Sequence, residues 1–495
     1  MNFSLLLKGS VECPGSSPIS FRCGRAVKPF IMKSGLFSIV FCLLITGGAS
    51  AQTVVRNVNV IDVENQKILP GYDVVSMNGK ITYVGKDKKF KLPGNIKVIE
   101  GTGKYLVPGF TDAHVHFFQT GGIYTRPDAI DLRKYKSHEE ELKWAHEHMK
   151  DFLSLYLKAG ITSVIDVGAS SEFLAQRDTF TAKTNSPLIF MTGPLLTTYI
   201  PEEYQSAKHD VTFAMMTNDA DTRKGVTDQL KYKPDLIKIW YIVLDSNAER
   251  GAKANQQLVK IAIDESHKHK LPVAVHATER ITAQLAVEAG ADYLVHSVDD
   301  EILSDAFVQL LKSHNTVLCP TLVVGTNYGK VFSGKYRFTD DEIKLSNPEQ
   351  VANIKAFPVP DTALGNGIMN RINKGTYFAR RKTADSVSAV NLKKLIDAGV
   401  TIATGTDAGN IGTQHAGSYY NELQAMADAG LTMWQLLTAS TINGAKAIGK
   451  EKEWGSITEG KIANMVLLDS NPLQGLQNWK KINVVINKGA VVETK

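Results

Sequence analysis

Cysteine is almost missing from this chain. Four occur among 495 residues, and Cys13, Cys23 and Cys42 all precede residue 52, leaving Cys319 alone beyond it. A single thiol closes no internal disulfide, so a disulfide framework is excluded and stability must come from an apolar core or from metal. Cys319 stands in the run Thr316-Val317-Leu318-Cys319-Pro320, the setting of a packed strand residue rather than a nucleophile. Past the N-terminus no apolar run is long enough to span a bilayer. Basic blocks are lacking as well. Residues 1–51 hold five Lys or Arg and one acid, so +4 of the formal +6 lies there and +2 remains for the rest. Without a basic or aromatic-interleaved patch, nucleic acid is not an expected partner; a small molecule is, and a homo-oligomer stays open.

The N-terminus has the pattern of an address. Met32-Lys33 is followed by an apolar stretch from Leu36 to Ile45 and then by Ala49-Ser50-Ala51. A charged start, a short hydrophobic region and an A-x-A site make a signal peptide at about 32–51, within a leader of residues 1–51. Met32 is the expected initiator in place of Met1, and cleavage falls before Gln52. The product is expected in the periplasm or outside the cell, with no membrane anchor kept after cleavage.

Residues 53–106 alternate in the manner of short strands parted by Asn-Gly and Pro-Gly turns, and Ala463–Asp469 and Ile482–Gly489 repeat that character. The expected organisation is a small composite β-sandwich domain from 52–107 plus 450–495, flanking a middle of 108–449. That middle alternates apolar strands with helical stretches. Strands are expected at His114-Val115-His116, 160–166, 187–191, 236–241, 273–277, 293–297, 317–322 and 402–407. Helices are expected at 140–159, 255–268, 281–289, 305–313 and 387–398. Repeated β-α units argue for an α/β fold with parallel strands, and eight close into a (β/α)8 barrel; an open doubly wound sheet is the alternative. The polar segment at about 323–383 breaks the rhythm and is an insertion, a lid, a surface excursion or an oligomer contact.

Candidate metal ligands fall at strand ends. In Pro108-Gly109-Phe110-Thr111-Asp112-Ala113-His114-Val115-His116, strand geometry turns His114 and His116 to one face, where two neutral imidazoles can reach one divalent ion. Lys238 sits in Asp235-Leu236-Ile237-Lys238-Ile239-Trp240, an apolar place that asks for a partner, a lowered pKa, a modification or an escape to solvent. His276 and His296 close apolar strands, the usual place of a satisfied core histidine as well as of a ligand. Asp407, between Gly405 and Gly409, is a carboxylate that binds metal or takes a proton from water. Tyr241, Arg280 and His415 are candidate substrate contacts, although Arg280 on a rim salt bridge is an equal reading. His146, His148, His267 and His269 read as solvated.

As a set, PGFTDAHVH, DLIKIW, VAVHATE, YLVHSVDD and TGTDAG resemble the amidohydrolase superfamily of metal-dependent hydrolases, most of all its imidazolonepropionase-like and prolidase-like branch. Gly455–Asn464 resembles that family's return into the small β domain, with Asn464 where Asp is more usual. The resemblance implies two divalent ions, zinc first with manganese or iron as alternatives. His114, His116 and Asp407 would hold one and His276 and His296 the other, with a carboxylated Lys238 bridging them. Asp407 would also be catalytic, carrying a proton to the leaving amine. The implied activity is hydrolysis of a C–N bond in a dipeptide, an N-acyl amino acid or a cyclic amide. A lactonase or esterase, a mononuclear deaminase and a non-catalytic binding barrel are the alternatives.

Overall fold

The computed structural model describes residues 52–86, 94, 96–205 and 209–493. The leader read in residues 1–51, with its three cysteines, lies outside them.

Both ends of the described chain meet in one sheet. Eight strands make it, with Tyr105–Pro108 at the seam between Thr53–Asp62 and Met465–Leu468. Val107 pairs antiparallel with Val466, and Val60 pairs parallel with Leu106. The alternation seen in the sequence is the reason. Val55, Val58, Val60, Val74, Leu106, Met465 and Leu467 fall on a common buried face, while the alternating Ile61, Val107, Val466 and Leu468 pack on the other side into the central core. Tyr105–Pro108 joins the two ends into one mixed sheet, and the far strand Lys80–Gly85 returns to the C-terminal end through the Lys80–Ile462 bridge and the Ile81 N–H to Lys461 O bond. Asn464 uses what an Asp lacks. Its amide nitrogen donates to Thr162 O at 3.1 Å and its oxygen accepts the Lys488 N–H at 2.7 Å.

The middle contains two parallel sheets. One has three strands, Phe110–Val115, Ile161–Asp166 and Leu188–Met191. The other has six, in the order Phe213–Met215, Leu195–Thr197, Ile237–Trp240, Val273–His276, Tyr293–Val295 and Val317–Cys319. Seven of the eight expected strands are present, and the short pair 195–197 and 213–215 is additional. These ladders do not join into one closed sheet. The segment 402–408 carries only isolated parallel bridges, Ile402 to Leu318, Ala408 to Val115 and, locally, Ala408 to Asn410. Its amides are shared among several neighbours. Ala403 N–H goes to Leu318 O, Thr404 N–H to Ala439 O, and Thr406 N–H to the Asp112 carboxylate.

The connecting helices follow their caps. Ser137 and Glu140 form a capping box that starts His138–Lys158, which buries Leu142, Ala145, Met149, Phe152 and Tyr156 at helical spacing. Asn247 caps Ala248–Lys268 and Ser304 caps Asp305–Ser313. The break at 323–383 is itself helical, built from Val323–Phe332, Asp340–Lys344, Pro348–Ala356, Thr362–Lys374 and the start of Tyr377–Asp397. Ile123, Ile130, Val331, Phe332, Ile354, Ile368 and Ile372 give it an apolar cluster separate from the central core. Among the described residues, no helix is long and apolar enough to cross a membrane.

Candidate metal centre

Phe110–Val115 is buried along its whole length and delivers His114 and His116 into the interior. Their Nε2 atoms lie 3.2 Å apart, and Asp407 Oδ1 lies 3.2 Å from one and 3.1 Å from the other. His116 Nδ1 is 3.0 Å from Gly168 O, which can only accept, so that ring donates there and a neutral His116 turns a lone pair toward Asp407. Asp407 Oδ1 makes no geometrically formed hydrogen bond, so a proton on one of the imidazoles or a cation between them is what relieves the crowding. Three electron-rich atoms at that spacing fit a shared cation. Ligand bonds of about 2.1 Å leave neighbouring ligand atoms roughly 3.0–3.4 Å apart.

Backbone held in rare conformations aims the groups. His296, Thr321 and Asp407 are non-glycine residues with φ of 82°, 46° and 59°. Asp407 is fixed by its N–H to His114 O at 2.7 Å, and His296 by its N–H to Cys319 O at 2.8 Å. His296 Nδ1 lies 2.7 Å from Thr321 Oγ1, which settles the ring and leaves Nε2 available. Gly405 permits the close approach: a Cβ there would sit 2.5 Å from Cys319 Sγ and 2.6 Å from His114 N. Ring centroids of His114 and His296 are 4.9 Å apart, and those of His276 and His296 are 4.4 Å apart. His114, His296 and Asp407 alone place three ligand atoms within 4.8 Å of one another.

Lys238 is 1% exposed, and among the described residues its Nζ has no hydrogen-bond or ion-pair partner. Burial pulls its pKa down to about 7, bringing the neutral amine within reach. Burial likewise holds His114 near 4 and puts His276 and His296 well below the ordinary imidazole value, so their lone pairs are free for metal. His116 goes the other way. Against burial, hydrogen bonds and charge from Asp166 and Asp407 raise it to about 9. Asp407 is held below the usual carboxylate range, since the surrounding imidazoles outweigh the burial that would raise it.

His116, Lys238, His276, His296 and Asp407 line one cavity of about 280 Å³, with His114 directly behind them. A larger cavity of about 530 Å³, between the helices Val323–Phe332 and Tyr419–Asp428, holds none of the six and has no comparable chemistry. All six expected ligands are therefore brought together. The three expected substrate contacts are not among the residues lining that cavity. Tyr241 is buried with its hydroxyl donating to Ala252 O at 2.6 Å. Arg280 is paired with Glu301 and Gln284, as the rim-salt-bridge reading had it. His415 spends both nitrogens on Gln119 O and the Tyr156 hydroxyl and stacks on Phe117. His146 is corrected as well: it is half-buried on Phe173 and bonded to Gln176 and Asp210, not solvated.

Sequence reasoning missed two groups here. Arg126, Asp128, Tyr204, Tyr328 and Asn410 form the polar end of the cavity; the oppositely charged Arg126-Pro127-Asp128 just after the ligand strand was the available signal. Asp112 ties the ligand strand to the ligand turn. Its carboxylate accepts the Thr406 N–H at 3.0 Å, the Thr406 hydroxyl at 2.7 Å and the His114 N–H at 3.4 Å. Asp112→Ala strands these donors in the interior and is expected to cost about 3 kcal/mol of stability. Chemical denaturation reads this directly, and a loss below about 0.5 kcal/mol would remove Asp112 from this role.

The amidohydrolase family model matches residues 105–492. The chain belongs to the amidohydrolase family. This amidohydrolase is 24% identical over 471 residues to an imidazolonepropionase from Shouchella clausii, covering 87% of each chain. It is 24% identical over 433 residues to a guanine deaminase from Escherichia coli, covering 82% of this chain and 83% of that one. A solved Xaa-Pro dipeptidase with methionine bound in its active site superposes with a TM-score of 0.63 and 22% identity, over 89% of this chain and 100% of the other. The expected placement in the amidohydrolase superfamily, with an imidazolonepropionase among its relatives, holds, and the protein is a metal-dependent hydrolase of carbon–nitrogen bonds; the likeness to the dipeptidase is one of fold.

Proposed function

We propose that the six clustered side chains hold two divalent ions, zinc by the character of the donors, and that the enzyme hydrolyses an amide-type C–N bond of a small substrate. The observation that carries this is the meeting of His114 Nε2, His116 Nε2 and Asp407 Oδ1 at 3.1–3.2 Å in the buried interior, with His276, His296 and Lys238 on the same cavity. In this reading His114, His116 and Asp407 serve one ion and His276 and His296 the other. Lys238 would take up carbon dioxide on its neutral amine, forming a C–N bond and releasing a proton, and the resulting carbamate would bridge the ions. That resolves the isolated buried lysine by turning it into an oxygen ligand. Bound divalent ions supply a polarised carbonyl and a water of lowered pKa. Asp407 takes the proton of the attacking water and hands it to the departing nitrogen, which leaves as a neutral amine. Gly168 O, accepting from His116 Nδ1, and Thr321 Oγ1, bonded to His296 Nδ1, hold the two rings with Nε2 facing the site.

We read the two parallel sheets and the segment 402–408 as parts of one (β/α)8 barrel, with a β domain drawn from both ends of the chain. The bridges from Ile402 and Ala408 to strands of different sheets support this. A ring is also the arrangement that lets distant strand ends converge.

Lys238→Ala is expected to lower bound metal from two ions to one or fewer and to abolish turnover, as read by elemental analysis alongside an amidase assay. Two retained ions and full activity would defeat the bridging role. One ion per wild-type chain would favour the mononuclear deaminase reading instead. Export rests on the sequence pattern at 32–51, and N-terminal sequencing of protein from a native periplasmic fraction should begin at Gln52; an intact Met32 there contradicts cleavage.

A further inference from the structure

The cavity in front of the six ligand candidates has two unlike sides. One is apolar and aromatic, with Phe118, Leu195, Phe213, Trp240, Ile242 and Val324 on the wall. Ring centroids of Tyr204 and Phe213 are 5.1 Å apart, Phe213 and Trp240 5.4 Å, and Trp240 and His276 6.2 Å, so an aromatic ladder runs up to the proposed metal centre. The other side is polar but already neutralised. Arg126 donates Nε to Asp128 Oδ1 at 2.8 Å and Nη2 to Asp128 Oδ2 at 2.6 Å, the parallel fork of a bidentate pair. Its Nη1 donates to Asn410 Oδ1 at 2.7 Å, which also accepts the Tyr328 hydroxyl at 2.7 Å. Tyr204 donates to Asp128 Oδ1 at 3.0 Å.

Among the described lining residues, Arg126 is the only cationic side chain apart from Lys238 and the imidazoles. Asp128 and Asn410 take three of the five Arg126 N–H groups, and a substrate carboxylate reaching the other two meets a guanidinium whose charge Asp128 already balances, with the Asp128 carboxylate itself alongside. An uncharged apolar group meets no such repulsion and covers Phe213 and Trp240. Building on the proposed amide hydrolysis, we infer that the substrate is an uncharged amide carrying an aromatic or aliphatic apolar group, and not a dipeptide or N-acyl amino acid with a free α-carboxylate. Asp128 is then a specificity-determining residue, because it cancels the charge that would recognise an acid.

The test uses matched pairs that differ only in the carboxylate. N-acylphenethylamines are compared with the corresponding N-acylphenylalanines, over a small set of acyl groups, on the full-length metal-loaded enzyme. The neutral member is expected to have at least tenfold higher kcat/KM. Asp128→Asn, which frees the Arg126 charge, is expected to move that ratio at least tenfold toward the acid, chiefly through KM. Faster hydrolysis of the acids by the wild-type enzyme overturns the substrate class while leaving amide hydrolysis intact. Absence of turnover for every neutral amide also overturns it, and metal content measured on the same sample then decides whether the hydrolytic reading falls too: a chain without bound metal loses both. The wild-type ratio stands as a test even if the variant does not fold.

Discussion

Asp407→Asn should lower kcat by about 10³-fold, the range expected for losing a positioned proton carrier. The substitution keeps the size of the side chain and the left-handed backbone, and it leaves the Asp407 N–H to His114 O bond in place. What disappears is the ability to receive a proton at the oxygen that faces His114 and His116 at 3.2 and 3.1 Å. An amide also brings its own donors, which can satisfy the imidazole lone pairs and so compete with metal. Metal content of the variant separates the two consequences. Bound metal at the wild-type level with turnover lost assigns the proton transfer to Asp407, whereas metal lost in proportion assigns it mainly to ligation. Activity within tenfold of the wild type with metal retained would show that some other group moves the proton.

Removing the metal should cost both turnover and stability. The metal-free site would keep these groups packed where Asp407 is 6% exposed and His114 fully buried, with only the proton that Asp166 and Asp407 favour on His116 to hold them together. By mass action, a ligand present at about a thousand times its Kd stabilises the folded state by ~4 kcal/mol, and chelation withdraws that contribution. The chelated enzyme should therefore melt at a clearly lower temperature and be inactive, and zinc at stoichiometric amounts should restore both properties. Calorimetry with and without chelator checks it. Unchanged melting together with unchanged activity after verified metal removal would show that the cluster is an ordinary buried polar network.

Much of the candidate site was legible because its signals are local. Strand alternation alone turns His114 and His116 the same way. His276, His296 and Asp407 were recognisable as polar residues ending apolar runs, and Lys238 as a cation among isoleucines. The surrounding errors share one physical origin. Tyr241, Arg280 and His415 stand next to the right elements in the chain, yet a residue one or two steps past a strand end turns outward or downward as readily as inward. Tyr241 turned to Ala252, Arg280 to Glu301 and His415 to Gln119. The helices of 323–374 were hidden for a related reason. Their apolar residues pack into a cluster with Ile123, Ile130 and Leu132, far away in sequence, so no strong stripe toward the central core marks them.

The order of residues by itself determined the six candidate ligands and the strand ends at which they stand, since strand period and burial of apolar runs are properties of short stretches. Only the tertiary structure decided how the two chain ends share a sheet, and that Arg126 is neutralised by Asp128 and held by Asn410. The last partner lies 284 residues away. A contact of that span exists only once the chain has folded around it, so the charge a substrate meets is set by the assembled fold.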